Sequence, residues 1–559
     1  MADLSARQHQ MFPVLTPHQI ETAKRFASGA PRRFEPGDFI YQVGDHAAPA
    51  WLVLDGSMDV NRHEGLSHEA PITTHGVGQV SGEVNQLSGR PTLAGARAGT
   101  AGCTAAAFDA AHLRALVIGS ADIGEIIMRA FILRRVGLID AGAGSVLIGT
   151  AGNAALARLQ GFLARSAFPY MVLDASAEGE GKALIERLGI LAADLPLMVC
   201  PNGTVLKNPT DAEAAACLGM TPDLTPGKLY DVAVVGAGPA GLATAVYAAS
   251  EGLDVIVIDE RSVGGQAGAS SRIENYLGFP TGISGQALAG RAYNQALKFG
   301  AEMVLPVKVV GLPSPKDDTG VLTIELGGEK SVTARSLVIA SGARYRRPKI
   351  ANIESFEGNG VSYWASPIEA KLCAGEEIAL VGGGNSAGQA IVFLAPQVQK
   401  LHLIVRRALE ETMSQYLIDR IKALPNVELH MHCEVDAITG DPATGISAAT
   451  LRSRLDGSEQ TLPLHHLFLF IGADPNAGWI SSRVHTDEKG FVVTGQSFDA
   501  RCNMTRQPLA LETSLPNVFA IGDVRAGSTK RVAAAVGEGA AVVSQIHTAL
   551  SLMKTSTSV

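Results

Sequence analysis

The 559-residue chain lacks several features that would define its chemistry at once. Its six cysteines never occur as C-x-x-C, the spacing of a zinc ribbon or a local redox dithiol, so we expect all six to be reduced thiols. No uninterrupted apolar run is long enough to cross a membrane, and the first residues, including Asp3, form no apolar segment of signal-peptide length. These absences predict a cytoplasmic protein without a membrane partner.

The chain also lacks an excess of basic charge. Its formal net charge is -8, so the sequence gives no reason to expect nucleic acid as a partner. Only 18% of the residues are charged and 46% are hydrophobic, which is typical of a protein with a sizeable core. The length predicts three or four domains.

A glycine-rich loop between an apolar strand and a helix is the strongest motif that is present. Strand 232–235 leads into Gly236-Ala237-Gly238-Pro239-Ala240-Gly241, and an alanine-rich helix follows from 242 to 250. This is the G-x-G-x-x-G order of a dinucleotide-binding unit. Gly236 would permit the tight turn, Gly238 the approach of backbone to a pyrophosphate, and Gly241 the close packing of helix on strand. An ordinary tight turn is the alternative.

The strand after that helix favours the nucleotide interpretation. Residues 255–258 form an apolar run that ends in Asp259 and Glu260. Asp259 lies where a carboxylate normally binds a ribose hydroxyl. Strand, loop, helix, strand and acid therefore occur in the expected order.

A second glycine loop follows the apolar strand 378–381. It reads Gly382-Gly383-Gly384-Asn385-Ser386 and opens a helix, and a further strand runs from 401 to 405. The position equivalent to Asp259 is Val405, which is followed by Arg406 and Arg407. Two cations in place of a carboxylate favour the 2′-phosphate of NADPH, although a solvated strand end is the alternative. Two such sites in tandem predict hydride transfer from NADPH to a flavin.

Residues 1–141 have an all-β pattern followed by helical sequence. Apolar runs at 39–41, 51–54 and 58–60 are separated by predicted turns at Gly37, Gly44 and Gly56, and a helical region extends from about 110 to 140. Several short motifs in this segment, including Gly82-Glu83 and Arg97-Ala98, resemble those of the cyclic-nucleotide-binding domain.

That resemblance implies a ribose site at Gly82 and Glu83. The arginine that holds the phosphate in the family is replaced by Thr92, five residues before Arg97. A cyclic phosphate without a cation loses its strongest hydrogen bonds. We expect the fold without strong cyclic nucleotide binding, and both a sensor and a purely structural domain remain open.

Residues 142–220 are predicted to form a small α/β module. Runs at 170–174 and 197–200 indicate strands, and 182–188 between them indicates a helix. With Pro196 before the second strand, the segment resembles a thioredoxin or glutaredoxin fold with its cis-proline. A generic α/β insert is the alternative. Without C-x-x-C, we expect no dithiol exchange by this module alone.

Residues 228 to about 550 resemble the low-molecular-weight thioredoxin reductases. The matching segments are, in chain order, the flavin-ring segment with Gly265, Gln266 and Asn275, the second FAD strand with Ser341 and Gly342, the third FAD strand with Gly522 and Asp523, and the segment beside the flavin with Arg531. The resemblance implies two doubly wound α/β domains, an FAD domain at 228–345 and 471–559 and an inserted NADPH domain at 346–470. It also implies a homodimer and rotation of one domain against the other.

The chain departs from this family at the redox dithiol. The slot that reads C-A-T-C in the family reads Trp364-Ala365-Ser366-Pro367, so no disulfide can form there. Trp364 is therefore a candidate catalytic-site residue that either covers the flavin face or fills the space of the sulfurs. Cys373, six residues after Pro367, has no nearby partner and is interpreted as structural.

The sequence predicts an NADPH-dependent FAD oxidoreductase that passes electrons to a small-molecule or protein acceptor. Two alternatives remain open. The first is a disulfide reductase that uses a remote thiol such as Cys200, or a thiol on a partner. The second is a nucleotide or redox sensor without turnover.

Overall fold

The computed structural model describes residues 7–64, 66, 68–150, 152–221, 224–270, 272–314, 320–328, 330–365, 367–441, 444–495 and 506–556. The chain forms two compact units. One comprises residues 1–235, 242–262 and 291–337, and the other 236–241, 263–290 and 338–559. Among the described residues, no helix combines the length and apolar character that a membrane span requires.

The N-terminal segment is an antiparallel sheet with two helices on either side in sequence. The sheet order is β1-β5-β3-β4, and β2 also pairs with β5. The elements are α1 (Gln8–Met11), α2 (Pro17–Lys24), β1 (Arg32–Phe34), β2 (Phe39–Tyr41), β3 (Ala50–Glu64), β4 (His68–His75), β5 (Ala94–Phe108), α3 (Ala110–Gly119) and α4 (Ala121–Asp140).

The predicted turn at Gly56 was wrong. The runs 51–54 and 58–60 belong to one strand, β3, and Gly56 lies at a register shift against β5 rather than in a turn. An extra residue in one strand bends it locally without ending the pairing, so a glycine inside a β pattern also fits a bulge. The predicted helical region is confirmed as α3 and α4.

Residues 145–217 form a separate four-stranded sheet with three helices. The order along the chain is β6 (Ser145–Gly149), α5 (Ala154–Arg165), β7 (Tyr170–Asp174), α6 (Glu180–Leu188), β8 (Leu197–Val199), β9 (Val205–Lys207) and α7 (Asp211–Cys217). The sheet order is β7-β6-β8-β9, with β6 and β7 parallel and the other two pairs antiparallel. The Leu195–Pro196 peptide bond is cis. The predicted strands and helix of this module are confirmed.

The expectation that all six cysteines are reduced was wrong. Cys200, just after β8, forms a disulfide with Cys217 at the end of α7, and their Cα atoms lie 6.3 Å apart. Cys103, Cys373 and Cys433 are free, whereas Cys502 lies outside the described residues. The two bonded cysteines are 17 residues apart, a separation that carries no C-x-x-C signal.

Residues 229–339 form most of a seven-stranded sheet in the order β12-β11-β10-β15-β14-β13. Strands β10, β11 and β12 are parallel, as in a doubly wound unit, and β13, β14 and β15 form an antiparallel extension. The elements are β10 (Leu229–Val235), α8 (Pro239–Ser250), β11 (Val255–Ile258), α9 (Gly265–Gly268), α10 (Gly285–Phe299), β12 (Glu302–Val304), β13 (Val309–Gly311), β14 (Leu322–Leu326) and β15 (Lys330–Ile339).

The next segment is built on a five-stranded parallel sheet in the order β17-β24-β18-β19-β20. A three-stranded antiparallel sheet, β21-β22-β23, and a short β16-β25 pair accompany it. The elements are β16 (Ala343–Tyr345), β17 (Val361–Ser362), α11 (Pro367–Leu372), β18 (Glu377–Val381), α12 (Asn385–Leu394), β19 (Lys400–Val405), α13 (Gln415–Lys422), β20 (Val427–Met431), β21 (Cys433–Asp441), β22 (Gly445–Ser453), β23 (Glu459–Pro463), β24 (His466–Leu469) and β25 (Ala473–Pro475).

The two faces of this parallel sheet belong to different cores. Ile378 and Leu380 of β18 pack in a cluster with residues of α12 and α13. Ala379 and Val381 pack in another cluster with apolar residues of β21, β22 and β23. Because side chains alternate along a strand, every second residue of β19 lies on the same side of the sheet as Ile404, which belongs to the second cluster.

The chain ends with a strand and a long helix, β26 (Val518–Ala520) and α14 (Val532–Ser556). Strand β26 pairs with β15, and the N–H of Ile521 donates to the carbonyl of Ile339 at 3.0 Å. The predicted third FAD strand is therefore placed beside the second.

Candidate functional site

The first glycine loop has the geometry that the motif predicts. Gly236 has φ +115°, and a Cβ there would lie 2.2 Å from the carbonyl oxygen of Ala340, so only glycine fits. A Cβ at Gly238 would meet nothing nearer than Gly265 Cα at 3.9 Å, which leaves open space beside the backbone. Helix α8 begins at Pro239, three residues earlier than expected. These features fit a pyrophosphate at the start of the helix.

Three segments that are distant in sequence meet at this loop. The N–H of Gly264 donates to the carbonyl of Ala237 at 2.8 Å, which fixes the predicted flavin-ring segment beside the loop. A Cβ on Gly522 would lie 3.0 Å from the Cβ of Ala240. The structure thus brings together the loop, Gly265 and Gly522, as an FAD site requires.

Several predicted cofactor residues are already engaged with backbone. Gln266 donates from its side-chain amide to the carbonyl of Ala343, and the hydroxyl of Ser341 donates to the carbonyl of Asn476 at 2.7 Å. The N–H of Asn476 in turn donates to the carbonyl of Gly342 at 2.9 Å. Asn275 is exposed. Gln266 and Ser341 therefore shape the site. The single hydroxyl proton of Ser341 is used, whereas the amide of Gln266 has a second N–H.

Asp523 lies half-buried in the turn after β26. Burial raises the pKa of its carboxyl group, and the neighbouring Lys530 opposes that shift. The ammonium group of Lys530 donates to the backbone carbonyl of Asp523 at 2.7 Å. The turn is further held by Glu538, which accepts from the N–H of Gly522 at 2.7 Å and pairs with Arg525 at 2.6 Å. Glu538 was not predicted from the sequence, because its partners are 13 to 16 residues away along the chain.

The carboxylate of Asp259 forms a hydrogen bond with nearby backbone at the end of β11. One of its oxygens accepts from the N–H of Arg261 at 2.8 Å. Glu260 lies 3.8 Å from the guanidinium of Arg261. Both acids are half-buried, and their contribution to ribose binding stays a prediction.

The second glycine loop has a related geometry. Gly382 has φ +146°, and a Cβ there would lie 2.5 Å from the carbonyl oxygen of Phe470. Gly384 precedes the ten-residue helix α12 and faces open space. The side-chain oxygen of Asn385 accepts from the N–H of Ser414 at 2.7 Å, so it holds the next loop, while Ser386 is exposed. The glycines fit a second dinucleotide.

The two arginines after β19 differ in their surroundings. Arg407 lies 3.5 Å from the carboxylate of Glu411, an ion pair that was not expected from the sequence. Arg406 is exposed, and no described residue pairs with its guanidinium group. Arg406 is therefore the better placed of the two to meet a 2′-phosphate.

Trp364 is fixed by a carboxylate in the slot of the missing dithiol. Its indole N–H donates to Glu369 at 2.8 Å, and its ring is half-buried against the core formed with β21, β22 and β23. Ser366 lies outside the described residues. Cys373 is fully buried, and burial raises the pKa of its thiol to about 11. A thiol of this kind is inert, in agreement with its structural interpretation.

In the N-terminal domain, the predicted ribose-binding residues have internal partners. The buried carboxylate of Glu83 lies 3.1 Å from the guanidinium of Arg135, and Arg134 donates to the carbonyl of Gly82 at 2.8 Å. Both arginines belong to α4. The only sign of them in the sequence is that two basic residues are adjacent within the predicted helical region. Thr92 is buried and donates to the carbonyl of Gln42.

Arg97, five residues after Thr92, packs against an aromatic ring. Its guanidinium group lies over the ring of Phe39, 3.7 Å from the ring centre. The position that holds the phosphate-binding arginine in the family is thus occupied by an uncharged side chain, that of Thr92.

Comparison with known proteins agrees with the two glycine loops. Residues 230–539, more than half of the chain, match the family model for pyridine nucleotide-disulphide oxidoreductases. The chain belongs to this family. Residues 31–119 match the model for the cyclic nucleotide-binding domain, so the resemblance of the N-terminal segment is confirmed.

Individual relatives are thioredoxin reductases of bacteria. The thioredoxin reductase of Listeria monocytogenes is 33% identical over 313 residues, which are 56% of this chain and 91% of the relative. That of Mycoplasmopsis pulmonis is 32% identical over 313 residues, which are 56% of this chain and 94% of the relative. The similarity therefore covers almost the whole of each relative and a little more than half of this chain.

Solved structures give the same result for the fold. The thioredoxin reductase of Lactococcus lactis has a TM-score of 0.51 at 25% identity and covers 57% of this chain and 98% of its own. That of T. acidophilum has a TM-score of 0.50 at 28% identity, with coverage of 59% and 99%. The predicted family, the α/β fold with its N-terminal domain, and the oxidoreductase class are confirmed, and the cofactors are those of the family, FAD and NADPH.

Proposed function

We propose that this protein is an NADPH-dependent FAD oxidoreductase that delivers electrons from its flavin site directly to an acceptor, without a dithiol in the NADPH domain. The observation that carries the proposal is the occupied redox slot. Trp364 is hydrogen-bonded to Glu369 there, and the nearest cysteine in sequence, Cys373, is buried with a raised pKa. Neither residue offers a thiolate that could exchange with a disulfide.

The flavin-site residues act by positioning. FAD, when bound, supplies the two-electron chemistry that links NADPH oxidation to reduction of the acceptor. Gly236 and Gly238 would admit its pyrophosphate, and Gly265 lies against that loop. Asp523 would accept hydrogen bonds from the ribityl hydroxyls. Arg531 is proposed to lie beside the flavin from the turn before α14. No acid–base side chain is required for this role.

The NADPH-site residues act in the same manner. Gly382 and Gly384 leave the start of α12 accessible to a pyrophosphate. Arg406 and Arg407 bind the 2′-phosphate and so select NADPH over NADH. The domain limits proposed from the sequence, 346–470 for NADPH and 228–345 with 471–559 for FAD, place each loop in its own domain.

We also propose a homodimer and a protein or small-molecule acceptor. The family resemblance supports both, and the thioredoxin reductase names of the relatives make disulfides one class of acceptor to test. Sedimentation of the purified chain tests the dimer. A panel of quinones, disulfides, ferredoxin-like proteins and oxygen tests the acceptor, and negligible turnover of thioredoxin is expected.

A second candidate is favoured by the Cys200–Cys217 disulfide. In this alternative the module at 142–220 takes part in electron transfer. The disulfide would accept two electrons by way of the flavin site, and two protons, one of them from solvent, would convert it into two thiols. Cys200 is buried and Cys217 is half-buried, so access would be through Cys217. The remote-thiol alternative from the sequence thereby gains a specific partner for Cys200.

Anaerobic titration with NADPH distinguishes the two routes. Direct transfer predicts that the protein takes up one two-electron equivalent, as the flavin band bleaches, and no new thiols appear. The disulfide route predicts a second equivalent and two additional titratable thiols. That second equivalent would be lost in Cys200→Ser but kept in the control Cys433→Ser, since Cys433 is already free.

The sensor alternative is tested by turnover. Steady NADPH consumption with any acceptor excludes a purely nucleotide- or redox-sensing protein. Bleaching of the flavin that stops after one equivalent, with every acceptor in the panel, would instead support it and contradict the enzymatic proposal.

A further inference from the structure

Two histidines and a glutamate meet on one face of the parallel sheet that contains the second glycine loop. His402 of β19 is the register partner of Glu428 of β20, and Ile404 is the partner of His430. Cross-strand partners and residues two apart in a strand point to the same side of a sheet. His402, Glu428 and His430 therefore converge, although no short sequence motif joins them.

The ligand-type atoms of these side chains lie at distances that suit a metal ion. His402 Nδ1 is 3.0 Å from His430 Nε2 and 3.9 Å from Glu428 Oε2, and His430 Nε2 is 3.5 Å from Glu428 Oε1. In a tetrahedral zinc site with bonds of about 2.0–2.2 Å, neighbouring ligand atoms lie about 3.3–3.6 Å apart. One nitrogen from each histidine and one oxygen of Glu428 can thus meet one ion after small side-chain movements.

A fourth residue orients His402 as a ligand. The other ring nitrogen, Nε2, lies 3.3 Å from Glu377 Oε2. A proton on Nε2 that is donated to Glu377 leaves the lone pair of Nδ1 directed at His430 and Glu428. Metal-binding histidines almost always donate their second ring N–H to a carboxylate or carbonyl in this way. The arrangement is therefore more than a chance contact of three polar groups.

The burial of the cluster agrees with its use as a ligand set. The side chains of His402 and His430 are 4% and 9% exposed, and that of Glu428 is 46% exposed. Two buried rings supply the nitrogen ligands, and the exposed carboxylate leaves a route for an ion to enter.

One neighbouring cation opposes metal binding. The ammonium group of Lys400 lies 2.6 Å from Glu428 Oε2, and its interaction lowers the pKa of that carboxyl group. A carboxylate has enough lone pairs to bind both a lysine and a metal ion, but the positive charges repel each other. Lys400 should therefore weaken the site without abolishing it.

We propose that His402, His430 and Glu428 bind one divalent transition-metal ion of the zinc class, with water in the remaining position. Nitrogen and carboxylate donors in this combination suit Zn²⁺. The ion would link β19 to β20. Binding of the ion at this place does not depend on the proposed oxidoreductase function.

Titration of the full-length protein with Zn²⁺ tests the site. The protein is first treated with a chelator, and Zn²⁺ is then added in competition with a chromophoric chelator to obtain stoichiometry and affinity. We expect one equivalent bound per chain. Glu428→Gln should weaken binding at least tenfold, and because Glu428 is exposed this substitution does not threaten folding. Lys400→Met should strengthen binding severalfold, since it removes the opposing charge.

Glu376→Gln is the matched control. Glu376 lies 3.6 Å and 3.4 Å from the ring nitrogens of His465 and His466, a second pair of histidines beside a carboxylate. This variant should bind Zn²⁺ as the unmodified chain does. Absence of a stoichiometric site would overturn the proposal, as would equal weakening by Glu376→Gln and Glu428→Gln. In that case, His402 and His430 are joined only by an N–H···N hydrogen bond.

Discussion

Replacement of Arg406 by alanine should selectively weaken the binding of NADPH. Arg406 has no ion-pair partner among the described residues, whereas Arg407 is 71% exposed and lies 3.5 Å from Glu411. A charge-assisted hydrogen bond is worth about 1.5–3 kcal/mol, which corresponds to a roughly tenfold to hundredfold change in affinity. We therefore expect Arg406→Ala to reduce NADPH affinity about tenfold or more, with NADH affected little.

The contribution of Arg407 should be smaller because Glu411 competes for its charge. Exposed ion pairs contribute at most about 1 kcal/mol, so Arg407→Ala should weaken the binding of NADPH only a few-fold. Glu411→Gln is an informative control. It releases Arg407 and should leave NADPH binding unchanged or slightly tighter.

The assay is the anaerobic rate of flavin bleaching at increasing NADPH or NADH. It reports the half-saturation concentration of each nucleotide and needs no electron acceptor. The ratio of the half-saturation concentrations for NADPH and NADH is the decisive quantity, since a general loss of folding would affect both. An unchanged ratio in the double variant Arg406→Ala, Arg407→Ala would refute the assignment of these residues to the 2′-phosphate.

Three further predictions concern the flavin site and the N-terminal domain. Asp523→Ala should purify with less than stoichiometric FAD, measured by absorbance after release, because the ribityl hydroxyls lose a charge-assisted acceptor; full flavin content would count against the assignment. Cyclic AMP and cyclic GMP should bind weakly or not at all, since Thr92 is buried and already donates to Gln42, and micromolar binding by calorimetry would contradict this. Burial lowers the pKa of His75 from 6.5 to about 3, so this residue stabilises the fold above pH 6.5 and that contribution is lost as the pH falls towards 3. Urea unfolding should show this acid dependence flattened in His75→Gln, and identical pH profiles for the two proteins would show the reasoning wrong.

The glycine loops and most elements around them were predictable from the sequence because their causes are local. Gly236 and Gly382 have φ values that only glycine adopts easily, and each stands between an apolar strand and a helix. The same local reasoning failed at Gly56, where a bulge and a turn require the same residue. Only pairing with β5 decides between them.

The family was also predictable because several separate motifs agreed in order and spacing. The absence of C-x-x-C was correct as a statement about sequence, but the inference that all cysteines are reduced was not. Cys200 and Cys217 lie at the ends of β8 and α7, and the packing of that helix on the sheet brings their sulfurs together. No periodicity or spacing rule predicts such a pair.

What each predicted site residue does was decided by tertiary structure. Gln266 and Asn385 are each hydrogen-bonded to a residue from elsewhere in the chain, which the sequence did not indicate, and their contact with the cofactors stays a prediction. Their residue type and position in the sequence fix what they are able to donate or accept, but not which group is nearest.

The sequence by itself determined the two dinucleotide-binding folds, the family and the absence of a C-x-x-C motif. These follow from short segments in which neighbouring residues act together. The tertiary structure alone decided the pairing of Arg407 with Glu411, the ion pair of Glu83 with Arg135, and the convergence of His402 with His430. Each of these depends on strand register or helix packing, and the side-chain distances that result are not written in any single stretch of the chain.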